Sequence, residues 1–337
     1  MEISPERDTG QSSARCRTGF CNRRLRFLAS RPVYVSDSVL LDIDEAMLAR
    51  GIPSISNRQG KITKFLTKCL SKARLPVNLR RSSHGPIFVA CMGFSEYKTI
   101  PFAYCAEIIP YCFDCWQRDW ARWESFFRRQ RTRLAFFTTR QSADHFRHVL
   151  PAMTAVWLPE AVNPSKYQCE KLIVERNIDV LEFGRKYDKF HDAVTEGLMA
   201  AGKYHRFERQ KGEIIFDTRA AFISALGDAK MSVCFPRSLT DPQGAWHETV
   251  TQRYFESIAS KCIVVGHCPG ELADIFGYNP IIEIDDGREL DQILSILSQS
   301  DRFQPLVERN YVRLWETGTW AARLQTILEY TNQIDRD

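Results

Sequence analysis

Residues 248–266 read ETVTQRYFESIASKCIVVG, a polar loop, a stretch of helical period and then a short apolar run. Phe255, Ile258 and Ala259 recur at the spacing of one helix face in TQRYFESIAS, and CIVVG reads as a buried strand. The same helix–strand alternation extends in both directions. Downstream, GELADIF and RELDQILSILSQ read as helices around the strand PIIEI. Upstream, IDVLEFG is a strand, KFHDAVTEGLMAAG a helix ending on Gly202, and MSVCFP another strand. Earlier still, the strands GPIFVACMG, EIIPYCFD, LAFFTT and TAVWLP alternate with the helices DWARWESFFRRQRTR and SADHFRHVL. Between the two runs, PEAVNPSKY carries two prolines and turn formers and reads as a linker. Strand–helix alternation is the pattern of a parallel sheet wrapped by helices. Two such domains in series place a cleft between the carboxyl ends of two sheets, where ligands of open α/β folds bind.

The expected organisation is a basic, disordered tail over 1–30, a Rossmann-like domain over 31–162 and a second over 163–312. A terminal helix over 313–337 is then expected to pack back on the first domain. With 337 residues, 44% of them hydrophobic, the chain can bury two cores of ordinary size. Residues 1–31 hold seven Arg against Glu2, Glu6 and Asp8, a balance of +4 out of the net +5. The remainder is nearly neutral, which argues against a dedicated nucleic-acid binder. The eleven Cys are scattered, several within apolar runs, and Cys112 and Cys115 have no second pair at zinc-site spacing. They read as reduced core thiols. No run of about 18 apolar residues exists to span a bilayer, and the N-terminus has no apolar signal core. The expected location is cytoplasmic.

Thr249 followed by Gln252 matches a capping box, which predicts a helix starting at Val250. Glu248 then lies in the loop before the helix and Glu256 in its second turn, roughly 10 Å apart along the helix by rise per residue. Between them the free N–H groups of the first turn form a site for phosphate.

Glu-x7-Glu ahead of an apolar strand resembles the donor domain of GT-B glycosyltransferases, in particular the retaining enzymes grouped as glycosyl transferases group 1 (GT4-like). VWLPEAVNPSKY is similar to that family's interdomain segment, DVLEFGRKYDKFHDAV to its first donor-domain strand and helix, and AKMSVCFPRS to the strand bordering the nucleotide base. The likeness covers about residues 150–300; the first half matches only in strand–helix order. Two departures stand out: Thr249, Val250 and Thr251 replace a Gly-rich loop, and Lys261 stands where a left-handed Gly usually ends the helix.

The resemblance implies a hexosyltransferase-type enzyme moving a sugar from a nucleotide-sugar donor to a saccharide or lipid-linked saccharide, with retention, without metal and with no separate cofactor. Within it, Glu256 would accept the ribose hydroxyls and Glu248 would face the transferred sugar. Arg185 and Lys189 would neutralise the leaving diphosphate, with Arg253 a further phosphate contact. Thr249 and Thr251 would add donors, and Pro236 and Ser238 would border the base. Asp114 lies where a catalytic group of the first domain could enter the cleft, and a capping role fits it equally. If configuration inverts, Asp114 or His84 would be the base; if it is retained, the leaving phosphate takes the acceptor's proton. A sugar-nucleotide epimerase on the same frame and a non-catalytic GT-B scaffold are the alternatives.

KITKFLTKCLSKARL, within residues 61–75, carries Ile62, Phe65, Leu66, Cys69, Leu70 and Ala73 on one stripe and Lys61, Lys64, Lys68 and Lys72 on the other face. It reads either as a domain helix with its stripe in the core or as a helix lying on an anionic membrane surface.

Overall fold

The computed structural model describes residues 24–29, 38–56, 61–73, 85–94, 99–100, 102–167, 170–210, 213–241 and 247–334. Among these, six strands form one parallel sheet: β1 (Leu25–Ala29), β2 (Ser54–Ser56), β3 (Ile87–Met92), β4 (Glu107–Cys112), β5 (Leu134–Phe137) and β6 (Thr154–Trp157). Their order is β2-β1-β3-β4-β5-β6. The helices between them are α1 (Ser38–Ala49), α2 (Lys61–Lys72), α3 (Phe102–Cys105), α4 (Trp120–Gln130) and α5 (Arg140–Val149). β3, β4 and β5 are buried along their whole length, as strands covered on both faces must be. Pro110 is tolerated in central β4 because β5 joins the ladder only from Tyr111 onward.

The second sheet, also parallel, has the order β11-β10-β9-β7-β8. Its strands are β7 (Ile178–Leu181), β8 (His205–Arg206), β9 (Ala229–Cys234), β10 (Ile263–Gly266) and β11 (Ile282–Glu283). Around it lie α6 (Asp188–Ala200), α7 (Arg219–Gly227), α8 (Arg237–Thr240), α9 (Gln252–Ala259), α10 (Gly270–Phe276) and α11 (Glu289–Ser298). α12 (Gln304–Thr317) and α13 (Trp320–Ile334) complete the chain. The two-sheet architecture expected from the alternation is therefore present, and each sheet sits between its own hydrophobic clusters.

Three sequence expectations need correction. Leu25–Ala29, assigned to the disordered tail, forms β1 inside the sheet, with Leu25 and Phe27 1% exposed. The apolar residues of LRFLA are spaced so that Arg26 can reach a backbone carbonyl at the sheet margin, which a tail-like composition conceals. The helix over TQRYFESIAS starts at Gln252 rather than Val250, because Glu271 takes the hydroxyl of the anticipated cap Thr249 together with the Val250 N–H, each donating to its Oε2 at 3.0 Å. The final segment is two helices. It breaks at Gly318, where a Cβ would lie 2.4 Å from Leu314 Cδ1 and 3.2 Å from Phe255 Cδ1.

At that break the chain returns to the first sheet. Val162 N–H donates to Gly318 O, and Trp320 N–H donates to Val162 O. α13 then buries Trp320, Leu324 and Ile327 against the β1–β6 sheet, the packing expected of the terminal helix. Cys112 and Cys115 are buried free thiols, as read from the sequence. Lys261 adopts the left-handed conformation (φ 52°) at the end of α9. Its ammonium pairs with Glu308 at 2.6 Å and lies over the Tyr311 ring of α12, contacts that a Gly could not make.

Candidate functional site

The carboxyl ends of the two sheets face each other across a cleft of about 600 Å³. The first lobe contributes Asp114 and Trp116 after β4, Thr138 and Thr139 after β5, and Glu160 after β6. The second contributes Phe183, Gly184 and Arg185 after β7, Glu208 after β8, an apolar wall of Ile214, Ile215, Phe216 and Phe222, and residues 249–253 with Glu256 around the start of α9.

Glu256 projects from the second turn of α9 and is 7% exposed. Tyr167, in the interlobe segment, donates its hydroxyl to Oε1 at 3.1 Å. Burial raises the Glu256 carboxyl to about 7, opposed by the Tyr167 bond and by Arg219. A carboxylate so placed lacks full solvation and offers strong acceptor capacity to hydroxyl donors entering the cleft.

Cations gather near it. Gly184 takes a left-handed turn (φ 72°) directly after β7 and brings the backbone under the Arg253 guanidinium, whose Nη1 donates to Arg185 O at 2.8 Å. Loss of solvation, then the proximity of Arg237 and Arg253, holds the Arg185 guanidinium below its usual value. Three guanidiniums that repel one another form a site for an anion of multiple charge.

Carboxyl groups approach from the first lobe. Asp114, itself left-handed (φ 51°), accepts from Arg237 Nη1 at 2.9 Å across the cleft. Glu160 Oε2 accepts from the Gln252 N–H at 2.8 Å and so sits on the first turn of α9, the position expected for phosphate. Burial and the Asp114 charge push Glu160 up to about 8, against the Gln252 bond. Thr139 Oγ1, Thr251 Oγ1 and Gln252 Nε2 are buried polar atoms with no hydrogen-bond partner. Beside the cleft, His247 is lowered to about 4 by burial and by Arg237, its ring set edge-on to Trp116 and Trp120.

Of the residues singled out from the sequence, the cleft brings together Glu256, Arg185, Arg253, Thr249, Thr251 and Asp114. Lys189 does not line it: the second residue of α6, it points to the turn after β11 and pairs with Asp286 at 2.7 Å. Glu248 does not line it either; its Oε1 accepts from His267 Nε2 at 2.8 Å, and the side chain is 46% exposed. The spacing argument places Glu248 one residue before a cap that Glu271 has displaced, so the loop carries it toward the end of β10 instead. Pro236 and Ser238 stand outside the lining, while Arg237 between them turns its guanidinium over the Trp116 ring and toward Asp114. His84 lies outside the described residues.

Sequence reasoning missed Arg237, Glu160, Tyr167 and the Phe183–Phe216–Phe222 wall. A strand-end position is the signal that could have found Arg237 and Glu160, each two or three residues beyond a strand.

Solved structures of the same architecture align with nearly the whole chain. Sucrose-phosphate synthase from Thermosynechococcus elongatus superposes with a TM-score of 0.59 at 12% identity, covering 94% of this chain and 97% of that one. An alpha-glucosyltransferase in complex with UDP and a 13-mer DNA gives 0.58 at 11%, covering 93% and 98%. Anabaena HepE in complex with UDP-glucose gives 0.57 at 9%, covering 92% and 99%.

The chain has the GT-B fold. No protein-family model matches the sequence, and no curated protein matches it by sequence comparison. GT-B architecture accounts for the position of the cleft and for the terminal helix that recrosses to the first lobe.

Proposed function

We propose that this protein is a glycosyltransferase that moves a hexosyl group from a nucleotide-sugar donor held in the interlobe cleft to a saccharide or lipid-linked saccharide. The observation that carries the reading is Glu256: a buried carboxylate on the cleft wall, in the field of Arg219 and Arg253, in a cleft that also holds Arg185 and an apolar aromatic surface. It accepts the two ribose hydroxyls, the wall of Phe183, Phe216 and Phe222 receives the base, and Arg185, Arg237 and Arg253 hold the diphosphate. As the glycosidic bond breaks, negative charge grows on the leaving diphosphate, and the guanidiniums stabilise it more in the transition state than in the ground state. This arrangement supplies the charge compensation for which other folds use a divalent ion. In a retaining course, the leaving phosphate takes the acceptor's proton on the same face. Asp114 and Glu160 are the carboxyl groups of the acceptor lobe nearest that event. For Glu248 the role at the transferred sugar rests on the motif resemblance alone.

UDP and UDP-glucose in the similar structures support a nucleotide donor here. The DNA in complex with one of them is a ligand this chain is poorly equipped to hold, since most of its net positive charge lies in residues 1–31. A lipid-linked acceptor fits α2. Ile62, Phe65 and Leu66 are 78%, 66% and 54% exposed, so the stripe does not enter the core, and the Lys face lies opposite. No helix among the described residues is long and apolar enough to cross a membrane. α2 is proposed to rest on an anionic bilayer surface, as a peripheral contact from the cytoplasmic side.

The test is a thermal-shift screen with UDP, GDP and ADP on the wild-type protein. One nucleotide is expected to raise the melting midpoint, and indifference to all three refutes the donor site. Conversion of the nucleotide sugar with no acceptor present would instead identify an epimerase.

A further inference from the structure

Behind the cleft, three side chains from three elements converge on one oxygen. Glu182 follows β7, His205 opens β8, and His191 lies in the first turn of α6. Glu182 Oε1 is 3.0 Å from His191 Nδ1 and 2.8 Å from His205 Nε2. All three side chains are buried, at 6%, 8% and 4% exposure. The Phe207 ring closes the cluster, 4.6 Å from each imidazole. None of the three lines the cleft.

The hydrogen-bond inventory shows what this cluster lacks. The Thr195 hydroxyl donates to His191 O at 2.6 Å, so its remaining capacity toward His191 Nε2, 3.3 Å away, is as an acceptor. His191 Nδ1 and His205 Nε2 thus face one carboxylate oxygen at hydrogen-bond distance, a set of one oxygen and two nitrogen donors that a divalent ion could bridge. His205 reaches the same oxygen through Nε2, while its Nδ1 is buried with no partner. The three ligand atoms lie within 4.8 Å of one another. Tetrahedral zinc with bonds of about 2.0–2.2 Å sets its ligands roughly 3.3–3.5 Å apart, so the two contacts to Oε1 would each open by roughly 0.3–0.7 Å on coordination.

We propose that Glu182, His191 and His205 form a binding site for a divalent transition metal, zinc in the first instance, that is structural rather than part of the transfer chemistry. Glu182, His191 and His205 supply three ligand atoms, and the fourth would come from the second oxygen of the same carboxylate or from a water. The Thr195 hydroxyl orients the His191 ring from behind, the usual arrangement for a ligating imidazole. A ligating imidazole nitrogen carries no proton, so any proton that His191 Nδ1 or His205 Nε2 shares with Glu182 would leave or move to the other ring nitrogen on binding. The ion would tie the end of β7, three residues from Arg185, to β8, three residues before Glu208 of the cleft lining. The proposal does not depend on which ligand the cleft takes.

The test uses the full chain stripped of metal with chelator, then titrated with Co²⁺ and Zn²⁺ by calorimetry and visible absorption. One Co²⁺ per chain should bind with tetrahedral d–d absorption that Zn²⁺ abolishes. The calorimetric heat should vary with buffer ionisation enthalpy, because protons are released. E182Q preserves size and H205Q retains a polar side chain; each should lower Co²⁺ affinity about 100-fold or more while the variant still melts cooperatively. If the stripped wild type binds no Co²⁺ with tetrahedral absorption, or if E182Q and H205Q bind it as the wild type does, the cluster is a proton-bridged hydrogen-bond network and the metal site is refuted. Nucleotide-induced thermal shifts measured on the same samples report separately on the cleft.

Discussion

Replacing Glu256 with Gln should move stability and ligand affinity in opposite directions. The carboxyl is raised from 4.5 to about 7 by burial, so the folded state binds a proton that the unfolded chain has already lost between those values. A raised acid pKa means that folding is favoured at low pH and loses free energy as pH climbs from 4.5 to 7. At 1.36 kcal/mol per unit, the charged group costs the apo protein about 3 kcal/mol above pH 7. Gln keeps the shape and an acceptor for the Tyr167 hydroxyl without the charge. E256Q should therefore melt several degrees above wild type at pH 8 and close to it at pH 5. Ligand binding should show the reverse. Two charge-assisted bonds to ribose hydroxyls are each worth about 1.5–3 kcal/mol, and Gln retains one neutral acceptor, so a net loss of about 2–4 kcal/mol is expected. That is roughly 30- to 1,000-fold in Kd for the preferred nucleotide. Differential scanning calorimetry at the two pH values and titration calorimetry with the nucleotide measure both arms. A Gln variant that binds nucleotide as tightly as wild type refutes the ribose assignment, and one that melts lower at pH 8 refutes the electrostatic account of the buried carboxyl.

Other outcomes follow from the placement of charge. R237A should weaken nucleoside diphosphate binding by about 10- to 100-fold and leave nucleoside binding nearly untouched, since it loses one charged hydrogen-bonding partner of the diphosphate; equal losses for both ligands would show that Arg237 acts only through Asp114. K189A, whose ammonium pairs with Asp286 on the surface, should leave nucleotide affinity unchanged in the same titration, and a marked loss would restore the role that the sequence assigns it. Nucleotide affinity of the wild type should fall as pH drops below about 7, because Glu256 must then shed a proton to receive the ribose; a flat profile from pH 5 to 8 counts against it. F65D should abolish sedimentation with anionic phosphatidylserine vesicles, and equal recovery of wild type with neutral phosphatidylcholine vesicles would exclude a charge-assisted surface contact.

The alternation of buried strands and amphipathic helices was enough to read both sheets, because parallel strands covered on both faces appear as apolar runs. Three strands escaped, β1, β2 and β8, two of them for opposite reasons. Leu25–Ala29 is flanked by Arg on both sides, and its burial depends on β2 and β3, which lie well over twenty residues further along the chain. His205–Arg206 is two residues of polar sequence, a strand only because β7 offers it an edge. At the site, Glu256 and Arg185 were legible because each sits at a fixed offset from a strand or helix start. Lys189 and Glu248 were misplaced toward the cleft because spacing along one element says nothing about competing partners elsewhere: Asp286 draws one, and His267 holds the other. Arg237 and Glu160 could not be paired with their partners in the opposite lobe from sequence, since their contacts span 123 and 92 positions.

The strand-to-helix crossover at Val162 and Gly318 has a consequence for biosynthesis. Trp320, Leu324 and Ile327 fill the floor beneath the first sheet, yet a ribosome reaches them about 160 residues after β6 has emerged. At typical elongation rates the amino-terminal half waits roughly 10–30 s with that floor open. During this interval it offers apolar surface to chaperones and to neighbouring nascent chains, and the late arrival of α13 closes the first lobe.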